Sequence, residues 1–287
     1  MHCHDDDPDR VSDGDPTVNE GASGANQGVL VDREGGVLRI TIDRPERKGS
    51  IDVPAVRRIV EALESASNDD SLRVVLLAGT GDDFCSGSDW VAANSTSEKP
   101  RPGSVQRRTP LQAHRIISLL LEVQLPVVCA VRGWAAGLGC QMALASDFTI
   151  AAEDSTFWLP FTGRGFTPDS GATWLLPRLV GVARAKDLLL LGRRVSGAEA
   201  ASWGMIHQSV LASELDDAVD SLVVTLASAA TVAVGLTKRL VNQSLEGGIA
   251  EAMSRESMGL ELSSRTADFR EGLSAFRERR DPRFEGR

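Results

Sequence analysis

Two short segments rich in small residues carry the clearest chemical signal in the sequence. One is Phe84-Cys85-Ser86-Gly87-Ser88-Asp89-Trp90; the other is Gly133-Trp134-Ala135-Ala136-Gly137-Leu138-Gly139-Cys140. Glycine at such turns lets backbone approach a ligand closely and take up positive φ. Turns of this kind leave N–H groups unpaired and pointing outward. The Leu138 N–H also stands at the start of a short helix, where the peptide dipole favours negative charge. Taken singly, each segment reads equally well as a tight strand-to-helix turn. Neither is a dinucleotide fingerprint, because Gly137-Leu138-Gly139 lacks the third glycine and the acidic residue downstream. His114 falls in register with Leu111, Ile117 and Leu121, so it points to the apolar face of its helix as a core residue or a proton carrier. Asp169, in Thr167-Pro168-Asp169-Ser170-Gly171, suits the N-cap of a helix starting near Gly171.

Alternating elements must position these residues. Gly36 to Ile42 alternates as a strand does, and Leu72 to Ala78, Val127 to Val131 and Phe148 to Ala152 read as further strands. Pro54 to about Ser67 carries a helical stripe with proline in its first turn. Residues 110–122 and 139–145 read as helices, followed by helical segments around 171–180, 183–191 and 198–203. Residues 92–109 are basic and rich in turn formers, which predicts a mobile loop. Its Arg101, Arg107 and Arg108 read as solvated charges or phosphate contacts. Strands alternating with helices imply an α/β fold. Residues 1–27 read as a disordered acidic and polar tail, 28–227 as the α/β core, and 228–287 as a mostly helical region.

The bulk numbers bound the function. The chain has 287 residues, 42% hydrophobic and 25% charged, with a formal net charge of −9, which argues against general nucleic-acid binding. Cys3, Cys85, Cys129 and Cys140 form no C-x-x-C pair and no metal spacing. Free thiols within apolar segments fit a reducing cytoplasm. His2-Cys3-His4 with Asp5 to Asp7 reads as a solvated end or an adventitious metal ligand. No apolar run is long enough to cross a bilayer. The expectation is a soluble protein needing neither metal nor separate cofactor.

Together, in order, the two glycine turns resemble the signatures of the crotonase (enoyl-CoA hydratase/isomerase) superfamily. Residues 84–90 match F-x-x-G-[AS]-D-[LIW] and residues 133–139 match G-x-A-x-G-x-G. Ile42 to Glu46, Gly192 to Val210 and Phe269 to Phe284 are similar to three further family stretches. The resemblance implies an α/β fold, a spiral of ββα units with a C-terminal α-helical oligomerisation region, assembled as a homotrimer or dimer of trimers. It implies an acyl-CoA thioester substrate, with the N–H groups of Ser88 and Leu138 forming an oxyanion hole. It places Arg44, Arg47, Lys48, Ser86 and Asp89 near the CoA nucleotide, with Phe276 and Arg279 reaching CoA from a neighbouring subunit. Around the acyl group it places Trp90, Trp134, Gln141, Phe161 and Phe166. Phe157, Trp158 and Trp174 read as core or as further pocket wall.

The chain departs from the family's hydratases, which hold a water between two glutamates. Gln141 and Phe161 stand at those positions, and neither can transfer a proton near neutral pH. Asp169 occupies the place of an aspartate in the family's dienoyl-CoA isomerase and 4-chlorobenzoyl-CoA dehalogenase. The spacing of His114, Leu138 and Asp169 is also similar to the dehalogenase's base, oxyanion residue and nucleophile. That enzyme carries an orienting tryptophan where this chain has Phe161. Three readings stand open: isomerisation or hydration with Asp169 moving the proton, helped by His114; hydrolysis with Asp169 as nucleophile and His114 as base; or a non-catalytic acyl-CoA-binding subunit.

Overall fold

The computed structural model describes residues 27–89 and 101–287. Trp90, residues 1–26 of the expected tail and residues 92–100 of the expected loop lie outside the described residues. The strands are β1 (Val29–Glu34), β2 (Val37–Ile42), β3 (Val74–Gly79), β4 (Val127–Val131), β5 (Trp134–Ala136), β6 (Phe148–Ala152), β7 (Thr156–Trp158), β8 (Arg194–Ser196) and β9 (Gln208–Val210). The helices are α1 (Val53–Ala66), α2 (Ser104–Arg108), α3 (Ala113–Glu122), α4 (Leu138–Ala145), α5 (Ala172–Leu190), α6 (Gly197–Ser202), α7 (Leu215–Ala227), α8 (Thr231–Ser244), α9 (Ile249–Ser263) and α10 (Ala267–Glu278).

The larger sheet runs in the order β1-β2-β3-β4-β6-β9, antiparallel between β1 and β2 and parallel thereafter. A smaller sheet, β5-β7-β8, carries the segment before the second glycine turn. Side chains alternate across a strand, and β3 uses both faces. Val75 and Leu77 enter one core with α1, α3, α4 and α5, whereas Val74 and Leu76 enter a second with α7. Every residue of α4 is buried, its single polar side chain Gln141 included, so this short helix is fixed from all sides. α1 starts where Asp52 Oδ1 accepts the Ala55 N–H at 3.0 Å, with Pro54 in the first turn, and buries Val56, Ile59 and Leu63.

Most long elements fall where the sequence puts them, but β1 and α7 were not expected from the sequence. Residues 109–111 form a 3-10 turn ahead of α3, which leaves Leu111 79% exposed instead of on the helix's apolar face. Part of the expected loop, Ser104–Arg108, is helical. α5 is two helices merged across Gly181, whose φ of 76° and ψ of 163° break the spiral between the two segments expected. The helical C-terminal region is tied to the core by Lys238 on α8. Its ammonium lies 2.7 Å from Asp147 Oδ2 and donates to the carbonyls of Leu120 and Leu125 at 2.7 and 3.1 Å.

Candidate active site

The turn after β3 is clamped from two sides. The Cys85 N–H donates to Trp134 O and Cys85 O accepts from the Ala136 N–H, both at 2.8 Å. Opposite, Ile51 pairs with Ser88: its N–H donates to Gly87 O, and its carbonyl accepts from the Asp89 N–H, both at 2.9 Å. In such a parallel bridge the partner bonds to the residues flanking the bridged one. The N–H of Ser88 itself therefore faces away from Ile51.

The second turn is built around Gly137, which caps α4 with φ 51° and ψ −122°, a conformation that glycine reaches far more readily than other residues. Its N–H donates to Trp158 O at 2.9 Å and its carbonyl accepts from the Gln141 N–H at 3.0 Å. Leu138 is thus the first residue of α4, where an N–H has no partner within the helix. The two turns touch at Gly87, which has φ +97°. A Cβ there would lie 2.8 Å from Ala136 O and 3.4 Å from the Leu138 nitrogen, so a side chain would push the turns apart. Among the described residues neither the Ser88 nor the Leu138 N–H has a backbone acceptor, and both residues line one cavity.

Asp169 enters the same cavity, beside Phe161 and Phe166, whose rings meet edge to face at 5.6 Å. The helix cap expected of Asp169 is absent: Gly171 is the N-cap of α5, with no side-chain bond. Asp169 lends its carbonyl instead, to the Ala172 N–H at 3.1 Å and to the Gln141 amide nitrogen. No described residue hydrogen-bonds its carboxylate. Gln141 is fully buried on α4, so one side chain joins the helix that presents the Leu138 amide to the loop that presents Asp169.

His114 lines an adjoining cavity of about 270 Å³ with Ile117, Leu121 and Trp174, and Ser170 borders both cavities. Ser170 and Arg164, which both line the cavity bordered by Ser88 and Leu138, were not singled out by sequence reasoning. Nothing in a serine's type announces its left-handed φ of 44°, and Arg164 reads as one surface cation among many.

The Arg44–Lys48 segment packs along the first turn. The Ser86 N–H donates to Lys48 O at 2.9 Å, its hydroxyl to Arg47 O at 3.3 Å, and Arg47 meets Asp89 at 2.8 Å. Arg44 is held by Asp52 at 2.9 Å. Trp134 lines neither cavity. Its ring lies 5.9 Å from that of Trp158, tilted by 56°, with Arg194 and Lys48 over it at 5.2 and 5.9 Å. Phe157 is core, whereas Phe276 and Arg279 are exposed at the end of α10 and line neither cavity of this chain. Cys85 and Cys140 lie behind the glycine turns as buried thiols, pushed up to about 12 by burial, which makes them inert wall. Among the described residues no three His, Cys, Asp or Glu gather as a metal would require.

With this geometry in view, the enoyl-CoA hydratase/isomerase family model matches residues 32–287. The chain belongs to the enoyl-CoA hydratase/isomerase family. It is 38% identical over 263 residues to the 1,2-epoxyphenylacetyl-CoA isomerase of Escherichia coli K12, covering 90% of this chain and 98% of that one. It is 33% identical to a probable enoyl-CoA hydratase of Rhodobacter capsulatus, over 88% of this chain and 95% of that one. The crystal structure of an enoyl-CoA hydratase from Bacillus anthracis superposes with a TM-score of 0.84 at 30% identity, covering 91% of this chain and all of that one. The fold is therefore the crotonase type, and this enoyl-CoA hydratase/isomerase family member is an enzyme of acyl-CoA chemistry, a lyase or an isomerase.

Proposed function

We propose that the enzyme isomerises an acyl-CoA through a thioester enolate. The thioester oxygen sits between the N–H groups of Ser88 and Leu138. The Asp169 carboxylate takes a proton from the carbon skeleton, and negative charge moves onto that oxygen, where the two amides receive it. The same carboxyl group returns the proton to another carbon, so the double bond shifts and no water is added. Each oxyanion donor of this kind is worth about 10²–10³ in rate. The observation that carries the reading is that Asp169 supplies a carboxylate to the cavity bordered by both amides. Isomerisation is favoured over hydration because hydration needs a water held by two proton carriers, and Gln141 and Phe161 are not such groups. It is favoured over attack by Asp169 because His114, the base that attack needs, lines the adjoining cavity. The likeness to an epoxyphenylacetyl-CoA isomerase supports a bulky, ring-bearing acyl group.

The CoA nucleotide runs along Arg44, Arg47, Lys48, Ser86 and Asp89, with Phe276 and Arg279 supplied by a neighbouring copy in a homotrimer or dimer of trimers. The apolar side chains exposed on α9 and α10, among them Met258, Leu262, Leu273 and Phe276, support that assembly. The buried free thiols of Cys85, Cys129 and Cys140 support a reducing, cytoplasmic setting.

Exchange of substrate protons with D₂O tests the reading. Phenylacetyl-CoA and crotonyl-CoA are incubated with the enzyme and read by mass spectrometry. Deuterium enters with the native enzyme, and Asp169→Asn slows its entry by about 10² or more while acyl-CoA affinity stays within a few-fold. Equal exchange by both proteins would remove Asp169 from the chemistry. Binding without exchange or turnover would leave an acyl-CoA-binding subunit.

A further inference from the structure

Among the described residues, buried side-chain polar atoms without a hydrogen-bond partner are few, and three of them surround the 169–171 turn: His114 Nε2, Gln141 Oε1 and Ser170 Oγ. Buried polar atoms are nearly always paired, because an unmade hydrogen bond costs the full desolvation of the group. Gln141 already spends its amide nitrogen on the loop. His114 and Ser170 are different, because they stand on separate elements and line the same cavity. The rest of the wall is mostly apolar, with Ile117, Leu121, Trp174 and Leu175, beside Gly171 and one further hydroxyl, that of Ser118; Ser118 has no place among the buried atoms without a partner. Ser170 is 3% exposed and holds a left-handed φ of 44°, so one residue bears both an unpaired hydroxyl and backbone strain. Strain and unpaired groups that meet in one place mark sites that await a ligand.

Ser170 borders both cavities, so an acyl group whose carbonyl lies at the Ser88 and Leu138 amides continues past it toward His114. The second cavity, about 270 Å³, is large for one ring: an apolar cavity of about 150 Å³ already takes benzene. We propose that this cavity receives the distal part of a ring-sized acyl group bearing an oxygen that hydrogen-bonds, and that His114 and Ser170 select for that oxygen. The inference rests on the acyl-CoA reading above and adds the substrate class: oxygenated cyclic or aromatic acyl-CoA thioesters. Small side-chain rotations turn the imidazole nitrogen and the hydroxyl onto the arriving oxygen. A site built to hydrogen-bond a substrate oxygen discriminates strongly against the analogue lacking it, because its own polar groups stay unpaired.

The test is calorimetric titration of the full-length enzyme with phenylacetyl-CoA and its 2-, 3- and 4-hydroxy ring derivatives. At least one hydroxy derivative binds about tenfold or more tightly than phenylacetyl-CoA itself. That gain falls below about twofold in His114→Phe, shrinks in Ser170→Ala and is partly kept by His114→Gln, which retains polar atoms. Equal binding of all four thioesters by the native enzyme overturns the inference while leaving the acyl-CoA reading intact, and that comparison needs no variant to fold. A gain that survives both His114→Phe and Ser170→Ala also overturns it. If no thioester binds, crotonyl-CoA included, the acyl-CoA reading falls first and the inference with it.

Discussion

In the proposed reading Gln141 and Phe161 take the places of two hydratase glutamates, and their types alter what the cavity can do with a proton. Phe161 becomes wall, in edge contact with Phe166. Gln141 becomes a positioning residue: it holds the carbonyl of Asp169 and leaves the carboxylate to the cavity. Gln141→Met keeps the bulk and deletes this bond. The expected outcome is a fall in kcat of about ten- to a hundredfold with KM little changed, because the carboxylate is misplaced and the thioester site is not. Steady-state kinetics check it; an unchanged kcat would show that the Ala172 N–H alone suffices to set the loop. At this scale residue type alone says that neither Gln141 nor Phe161 can carry a proton near neutral pH. It is silent where conformation decides. Asp169 suits a helix cap by type, yet the left-handed Ser170 and Gly171 turn the chain so that Gly171 takes the cap.

Helix α4, which presents the Leu138 N–H in the proposed reading, is fixed by burial more than by its own propensity. α4 is too short to be stable alone, and it is held because all of its residues are buried. The strands β3, β4 and β6 were legible because long apolar runs bounded by turn residues have few other readings. The three-residue strands β5, β7, β8 and β9 were not, since a period of two cannot be established over three positions. Beyond this core, α8 is anchored by the buried Lys238–Asp147 pair. Burial pushes the Lys238 ammonium down and the Asp147 carboxyl up, and each is countered by the other's charge. Lys238→Met leaves Asp147 without its counter-charge, and loss of one partner from such a pair costs about 3–5 kcal/mol. Adding Asp147→Asn removes the stranded charge and recovers part of the loss. Urea unfolding of the native, single and double variants measures this. A single variant as stable as the native protein would mean that the pair does not tie α8 to the core.

At the scale of the whole molecule, one consequence of tight packing is a pH limit. Burial raises the thiols of Cys85, Cys129 and Cys140, the first and last to about 12. Unfolded thiols lose their protons from about pH 9, while the native ones keep theirs. The unfolded state then binds fewer protons, so stability is complete below about pH 9 and is lost as pH rises. Each thiol contributes a slope of about 1.4 kcal/mol per pH unit in that window. Cys129→Ala flattens the decline between about pH 9 and 11 by one such increment, as urea titrations at stepped pH would reveal; parallel curves would contradict it. The fold also does what no local segment can. It brings the turn at 87–88 against the turn at 137–138, although strand β4, helix α3 and the basic segment separate them in sequence. Their order in the sequence suggested the pairing, but only the folded chain brings Ser88 and Leu138 to one cavity. The most direct test is the infrared stretch of a ¹³C-labelled thioester carbonyl in bound phenylacetyl-CoA. The stretch should move to lower wavenumber on binding, and Leu138→Pro, which deletes one N–H at a helix position that tolerates proline, should reverse most of that shift while the thioester remains bound. A carbonyl band at its solution frequency in the native complex, or one that Leu138→Pro leaves unmoved, would contradict the account.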